Sequence, residues 1–424
     1  MGYFKKHLLL VFLLLSIAMT HLHAQGPARN LTYFFDEAVK RSPLMKDYVN
    51  QQQANRIDSM RVKAGYLPQV TVSSAGMYAP VVKGYGYDDV ITNGQALEAL
   101  INVNYNLVSK KNINNQLKMI RLQSDSINVA SRLSVLDLKR TIGDQYITVF
   151  ASQQQSAFNK EVFQLLSKEE KVLRKMTQAN VYKQVDYLTF LVTFKQQELL
   201  WKEAELQWKN DYSTLNYLTG IVDTTAYPIP DPDLQLPSAN TDKNIVDLDQ
   251  HIFYRKLGLD SAKIVNKRKA VDFLYKPKIG VYANSGFNSS LIFQPYRNFG
   301  ASAGFTVSVP IYDGHQKKMM YDRLAIEQRT NVAYKDFFSI QHTQQINLLK
   351  QQINDQNSLY QKINEQIKFT KSLIEVDSRL LQTGDITVAD FVIAINNYLS
   401  AQQLYRQTNI NRLKLINQLN YWNR

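Results

Sequence analysis

Cysteine is missing from all 424 residues. That excludes disulfides, thiolate metal sites, cysteine nucleophiles and a lipidated N-terminal cysteine. Histidine is nearly as scarce: past the N-terminal region only His251, His315 and His342 remain. They show no metal-ligand spacing and read as solvated side chains. Neither the HExxH of zinc proteases nor the phosphate-cradling GxxxxGK occurs, and no nucleophile elbow is expected. GYGY at 84–87 is too short and too tyrosine-rich for a dinucleotide loop, and Asp88 with Asp89 falls short of a calcium ligand set. No enzymatic activity, metal or cofactor is therefore expected. Beyond the N-terminal region no run approaches the 18 apolar residues of a spanning helix.

Charge of one sign prevails: 50 Lys and Arg stand against 36 Asp and Glu, a net of +14. The basic residues are spread along the chain rather than gathered in a patch, so a nucleic-acid partner is not expected. Apolar residues make up 45%, too many for a disordered chain. Lys5 and Lys6 precede an apolar run from Leu8 to Met19, with Ala24 as a cleavage point. This pattern predicts a signal peptide over 1–24 and export of the rest.

The exported part of the chain is organised by an internal repeat. LNYL at 215–218 matches LNYW at 419–422, 204 residues further on, and the same spacing carries Asp186 onto Asp390, Val172 onto Val376 and Gln178 onto Gln382. Upstream, YLPQVTV at 66–72 matches YKPKIGV at 275–281. Two repeats are predicted, 25–219 and 245–424, joined by a linker over 220–244 that holds Pro228, Pro230, Pro232 and Pro237. Each half reads as an opening helix (31–65, then 245–274), two strands and a long helical hairpin. The strands are expected at 69–79, 101–108, 278–287 and 299–311. In the second long helix Ile346, Ile353, Tyr360, Ile367, Ile374 and Leu381 recur every seven residues, the stripe of a coiled coil. A helix of about 70 residues would extend roughly 100 Å. Gly384 and Asn180 mark the matching turns of the two hairpins, as residues that tolerate a left-handed backbone.

Period two governs the strands. In FGASAGFTVSVPI at 299–311 the odd positions are apolar and the even ones small or polar, and Ile101, Val103, Tyr105 and Leu107 alternate with Asn102, Asn104 and Asn106. One such strand would suit a small sheet with one buried face. Four of them, separated by coiled coil and with no segment to cover them, suit a barrel whose apolar face meets lipid. Four strands cannot close alone, because the smallest membrane barrels have eight. An oligomer is therefore required, and three copies would give twelve strands. Tyr78, Tyr85, Tyr87, Phe287, Phe293, Tyr296 and Phe299 cluster at strand ends and loops, as an interfacial girdle would.

The order of elements, repeated once, resembles the TolC-type outer-membrane efflux channels. Pro68 in GYLPQV, VPIYDG at 309–314 leading into the long helix, and TGDITVADF at 383–391 at the helical turn carry the likeness, which covers nearly the whole chain past the signal peptide. The resemblance implies a mainly α chain with membrane β-strands, closing as a trimeric 12-stranded barrel in the outer membrane. It continues as an α-helical periplasmic tunnel that conducts substrate passively, with a periplasmic adaptor protein and an inner-membrane pump docked at the hairpins. It also implies a gate at the turns, here Asn180, Asp186, Gly384, Asp385 and Asp390. Ile386 stands where some members carry Arg, and Ile393 where a second acid is found, so the constriction departs from the family pattern. Asp186 and Asp390 equally suit the N-terminal end of a helix, where their charge meets the macrodipole favourably. The rival reading is an exported coiled-coil scaffold without a pore.

Overall fold

The structure is a computed structural model that describes residues 29–236, 251–290 and 295–423. The signal-peptide segment, the end of the linker (237–244), the start of the second opening helix and Phe293 lie outside the described residues. Seven helices longer than one turn are described: α1 (Leu31–Arg41), α2 (Pro43–Ala64), α3 (Lys110–Gln178), α4 (Gln184–Thr219), α5 (Ile252–Leu274), α6 (Gln316–Thr383) and α7 (Val388–Trp422). Four strands join them: β1 (Gln69–Tyr78), β2 (Gln95–Leu107), β3 (Lys278–Ser289) and β4 (Phe299–Ser308). None of the described helices is apolar enough to cross a membrane.

Three boundaries depart from the sequence reading. The first opening helix is two helices, because Ser42 (ψ 119°) turns extended before Pro43, which disfavours a helical residue ahead of it. Strand β2 starts at Gln95 rather than 101, although QALEAL is built of helix formers, since pairing with both β1 and β3 overrides local propensity. Strand β4 stops at Ser308 instead of 311, just before Pro310, which has no N–H to donate to a ladder. Beyond it, Asp313 accepts from the backbone N–H groups of His315 (2.9 Å) and Lys317 (2.8 Å) and so caps α6.

Contacts divide the chain into two compact units, and each draws on both halves of the sequence. One consists of Leu44–Leu133 and the described part of Lys243–Gln341. It holds a single antiparallel sheet in the order β1-β2-β3-β4, so the two hairpins lie side by side through the β2–β3 ladder. Directly paired residues share a face. One face gathers Val70, Val72, Ile101, Val103, Tyr105, Val281, Phe305 and Val307; the other gathers Thr71, Ser73, Asn102, Asn104, Asn284, Ser302 and Thr306. Amide and hydroxyl groups tie the polar face together: Asn102 Nδ2 donates to Ser73 Oγ (2.8 Å) and Ser302 Oγ to Asn284 Oδ1 (2.8 Å). The Tyr282 hydroxyl overlies Gly304, where a Cβ would sit 2.5 Å from it, so a side chain there would displace the tyrosine. Among the described residues no layer covers the apolar face: Val72 is 79% exposed and Phe305 74%. Phe287 and Phe299, directly paired at its loop end, meet edge to face at 5.2 Å.

The other unit is helical and takes the described parts of Met1–Pro43, Ser134–Asp242 and His342–Arg424. One core packs α1 against α3 and α4. Phe34 lies at its centre, edge-on to Tyr146 (5.9 Å) and Tyr212 (6.2 Å), with Ile142, Ile147 and Leu215 around them. Burying such aliphatic and aromatic side chains contributes about 1.5–3 kcal/mol each. The described linker residues 221–236 have no regular structure, and they are fastened to α3 where Tyr146 donates to the Pro230 carbonyl (2.8 Å). Along α6 two seven-residue rows are buried or half-buried at every step: one from Ile346 to Leu381, and one three residues further on, from Leu349 to Asp377, that includes the polar Gln356, Thr370 and Asp377. His342 is buried against Trp422, whose carbonyl lies 2.9 Å from its Nε2, and His251 is buried too; the expected solvation holds only for His315.

Candidate functional site

The two helical turns, 179–183 and 384–387, are built alike. Asn180 (φ 60°) and Gly384 (φ 83°) both occupy the left-handed region. After each, a backbone N–H reaches back five residues, Val181 to Met176 (2.9 Å) and Asp385 to Leu380 (2.9 Å), which satisfies carbonyls that the ending helix leaves free. A side chain on Gly384 would collide with Val181 Cγ1, since its Cβ would lie 2.9 Å away. The first turn therefore packs closely against the second.

Both acids open a helix at equivalent places. Asp186 Oδ2 accepts from the Lys183 N–H (3.2 Å) at the start of α4. Asp390 opens α7: its N–H donates to Thr387 Oγ1 (3.2 Å), and that hydroxyl donates back to Asp390 Oδ2 (2.6 Å). Asp186 thus caps α4 with its carboxylate, whereas α7 is capped by the Thr387 hydroxyl that the Asp390 carboxylate holds in place, and both acids add a charge that the macrodipole favours. Asp385 is held within the second turn by Thr383 Oγ1 (2.6 Å). These bonds are local to each turn.

What joins the turns is a residue the sequence did not single out. The Tyr182 hydroxyl lies within donating distance of two carbonyls of the second turn, Leu381 (3.0 Å) and Ile386 (3.1 Å). Burial first, then the charges of Asp385 and Asp186, push this phenol above its ordinary value. Around it, Phe190 stacks on Phe391 (6.3 Å) over a core of Leu166, Leu173, Ile374, Leu381, Val388 and Ile395.

Two glutamates of α3 extend the polar set. Glu170 Oε1 accepts from Arg174 (Nη2, 2.7 Å) and from the Tyr187 hydroxyl (2.7 Å). Burial alone would raise its carboxyl, but the bonds from Tyr187 and Arg174 outweigh it and hold it below the usual range. Glu169 accepts from Ser378 Oγ on α6 (2.7 Å), while its Oε2 is buried without a partner. Asp377, on the buried row of α6, is pushed up by burial and by the charge of Asp390. The KEEK stretch at 168–171 reads as a solvated charge run, and only the packing of α3 puts its two acids indoors.

Nothing here assembles a nucleophile or a metal. Gly300, Ser302 and Gly304 do spell Gly-x-Ser-x-Gly, which corrects the expectation from sequence, but they lie in mid-strand in β4. An elbow needs a sharp strand-to-helix turn to present its serine. Among the described residues no three His, Asp or Glu gather as metal ligands.

No protein-family model matches the chain, and no curated protein matches it in sequence. Solved structures do match. CusC, described in connection with folding and transmembrane channel formation, superposes with a TM-score of 0.74 at 12% identity, over 93% of this chain and 92% of its own. The CmeC outer membrane channel of Campylobacter jejuni gives 0.72 at 12%, over 93% and 85%. The outer membrane protein VceC of Vibrio cholerae gives 0.73 at 12%, over 92% and 95%. The chain has the fold of the TolC-type outer-membrane channels.

Proposed function

We propose that this chain is the outer-membrane channel of a multi-protein export system. The observation that carries the reading is the sheet. It is apolar on one face and lined with amides and hydroxyls on the other, its apolar face is left uncovered among the described residues, and it is mounted on helices of 69 and 68 residues. A water-soluble sheet buries its apolar face; a membrane barrel turns it to lipid and its polar face to a water-filled interior. Strands β1 and β4 form the edges, open to pairing with further copies. At four strands per chain, three copies supply twelve, above the eight of the smallest barrels.

In this reading the exposed aromatics Tyr78, Tyr85, Tyr87, Tyr296 and Phe299 lie at the membrane interface. The helices line a periplasmic tunnel, and conduction is passive. The paired turns at 179–183 and 384–387 form its far end, where a periplasmic adaptor and an inner-membrane pump dock and where Asp186, Asp385 and Asp390 surround the opening. The pore-less scaffold is disfavoured by the same uncovered sheet. Membrane fractionation with chemical crosslinking tests the proposal. A detergent-dependent protein with a ladder ending at three copies supports it; a water-soluble monomer overturns it.

A further inference from the structure

The end of the sheet that joins the helices is basic. In the antiparallel order the starts of β1 and β3 and the ends of β2 and β4 lie together there. Lysine stands at every one of these junctions: Lys63 ahead of β1, Lys110 and Lys111 after β2, Lys276 ahead of β3, and Lys317 and Lys318 after β4. Lys317 is half-buried and the others are exposed. None of them takes part in an ion pair among the described residues. Phe273 and Tyr275 lie near Lys276 (4.7 Å) and Lys317 (5.5 Å), but a ring supplies no counter-charge. Across 63–68, 108–111, 275–277 and 309–318 the one acid is Asp313, and backbone N–H groups at the start of α6 already hold its carboxylate. The far end of the sheet differs: its loops, 79–94 and 290–298, balance Lys83 and Arg297 with Asp88 and Asp89.

Helix stability does not explain these lysines. Lys110 and Lys111 open α3, and Lys317 and Lys318 lie in the first turn of α6, where the macrodipole disfavours positive charge; neither first turn holds an acid. Exposed apolar side chains adjoin them outside the strands: Leu67 is 62% exposed and Ile311 96%. A lysine beside such surface lays its stem along it and keeps its ammonium in water. The boundary of a bilayer with anionic headgroups meets both needs, offering hydrocarbon to the apolar groups and phosphate to the charges.

We propose that the lysines form a collar for anionic phospholipid headgroups, of the phosphatidylglycerol class, in the leaflet that faces the long helices. The inference rests on the channel reading, which puts this end of the sheet at a membrane surface, and adds a lipid preference that the reading does not require. The full chain in a neutral detergent can be offered equimolar phosphatidylglycerol and phosphatidylcholine, and the lipid it retains counted by mass spectrometry. Phosphatidylglycerol should be enriched at least about fivefold, the scale of one lysine near a charged membrane surface. The enrichment should fall in salt of about 0.5 M, which screens exposed charges. Lys110→Gln, Lys111→Gln, Lys317→Gln and Lys318→Gln together should bring the ratio close to one. Lys83→Gln with Arg297→Gln, at the loop end, should leave it unchanged. If the fourfold variant fails to fold, Lys110→Gln with Lys111→Gln carries the test and should lower the ratio in part. Equal retention of the two lipids, or enrichment untouched in the folded collar variants, overturns the proposal and leaves the channel reading standing. A chain that retains neither lipid and stays soluble without detergent overturns both.

Discussion

The hydroxyl of Tyr182 lies 3.0 Å from the carbonyl oxygen of Leu381, linking the turn of the first hairpin to that of the second. Replacing Tyr182 by Phe keeps the ring and removes this bond and its companion to Ile386. A loss of about 1 kcal/mol is expected, as for other part-buried hydrogen bonds. Hydrogen exchange should accelerate at amides of residues 179–187 and 381–390 while the cores around Phe34 stay protected. Alkali should act on the same link. The folded-state pKa of Tyr182 is raised above the ordinary 10.0, so its contribution is intact below pH 10 and is lost as pH climbs through the raised value. Tyr360 and Tyr421, both pushed to about 12 chiefly by burial, add to that alkaline loss. Thermal unfolding followed above pH 10 should show a steeper loss in the parent than in the Tyr182→Phe variant.

Asp377 makes the opposite case. Burial and the neighbouring Asp390 raise its carboxyl, so the folded state prefers the protonated form and bears a penalty at neutral pH. Asp377→Asn should therefore raise Tm at pH 7. The gap between variant and parent should shrink on acidification, once the parent's carboxyl also takes up its proton. A gap that widens toward low pH would contradict this account of the turn.

Ion selectivity should follow the polar face of the sheet. Glu98 lies on that face, paired with Ala75 and Asn288 toward the loop end, and Lys278 lies on it at the opposite end, paired with Ser308. Leu100 and Tyr282 apart, the ladders between them on β2, β3 and β4 carry Asn, Ser, Thr and Gly. In a planar bilayer under a salt gradient, Glu98→Gln should shift the reversal potential toward anions and Lys278→Gln toward cations. Equal shifts of the same sign, or none in either, would remove these residues from the conducting path.

Much of this architecture is legible in the sequence, for physical reasons. The seven-residue rows from Ile346 to Leu381 and from Leu349 to Asp377 are packing requirements written at fixed spacing, so the second survives the polar Gln356, Thr370 and Asp377 within it. Alternation in β4 is equally direct, because a one-residue slip would expose every apolar side chain to the wrong face. Where local preference and long-range pairing conflict, the sequence misleads: QALEAL prefers helix and is held in β2 by neighbours on both sides. At Ser42 the geometry that Pro43 demands of the residue before it divides the helix. At the turns, Asn180 and Gly384 can be read from their tolerance of left-handed backbone. The Tyr182 link to the second turn and the bonds of Ser378 to Glu169 and of Arg406 to Gln155 cannot, since each joins segments 199 to 251 residues apart.

The central claim is that the sheet's two faces meet different solvents, and the lack of native cysteine makes it directly measurable. Single cysteines placed along β4, as Phe305→Cys, Thr306→Cys and Val307→Cys, can be challenged with a charged, membrane-impermeant thiol reagent in intact outer membranes. The account predicts rapid labelling at 306 and protection at 305 and 307, with the protection lost on denaturation. Labelling at similar rates at all three positions would contradict it.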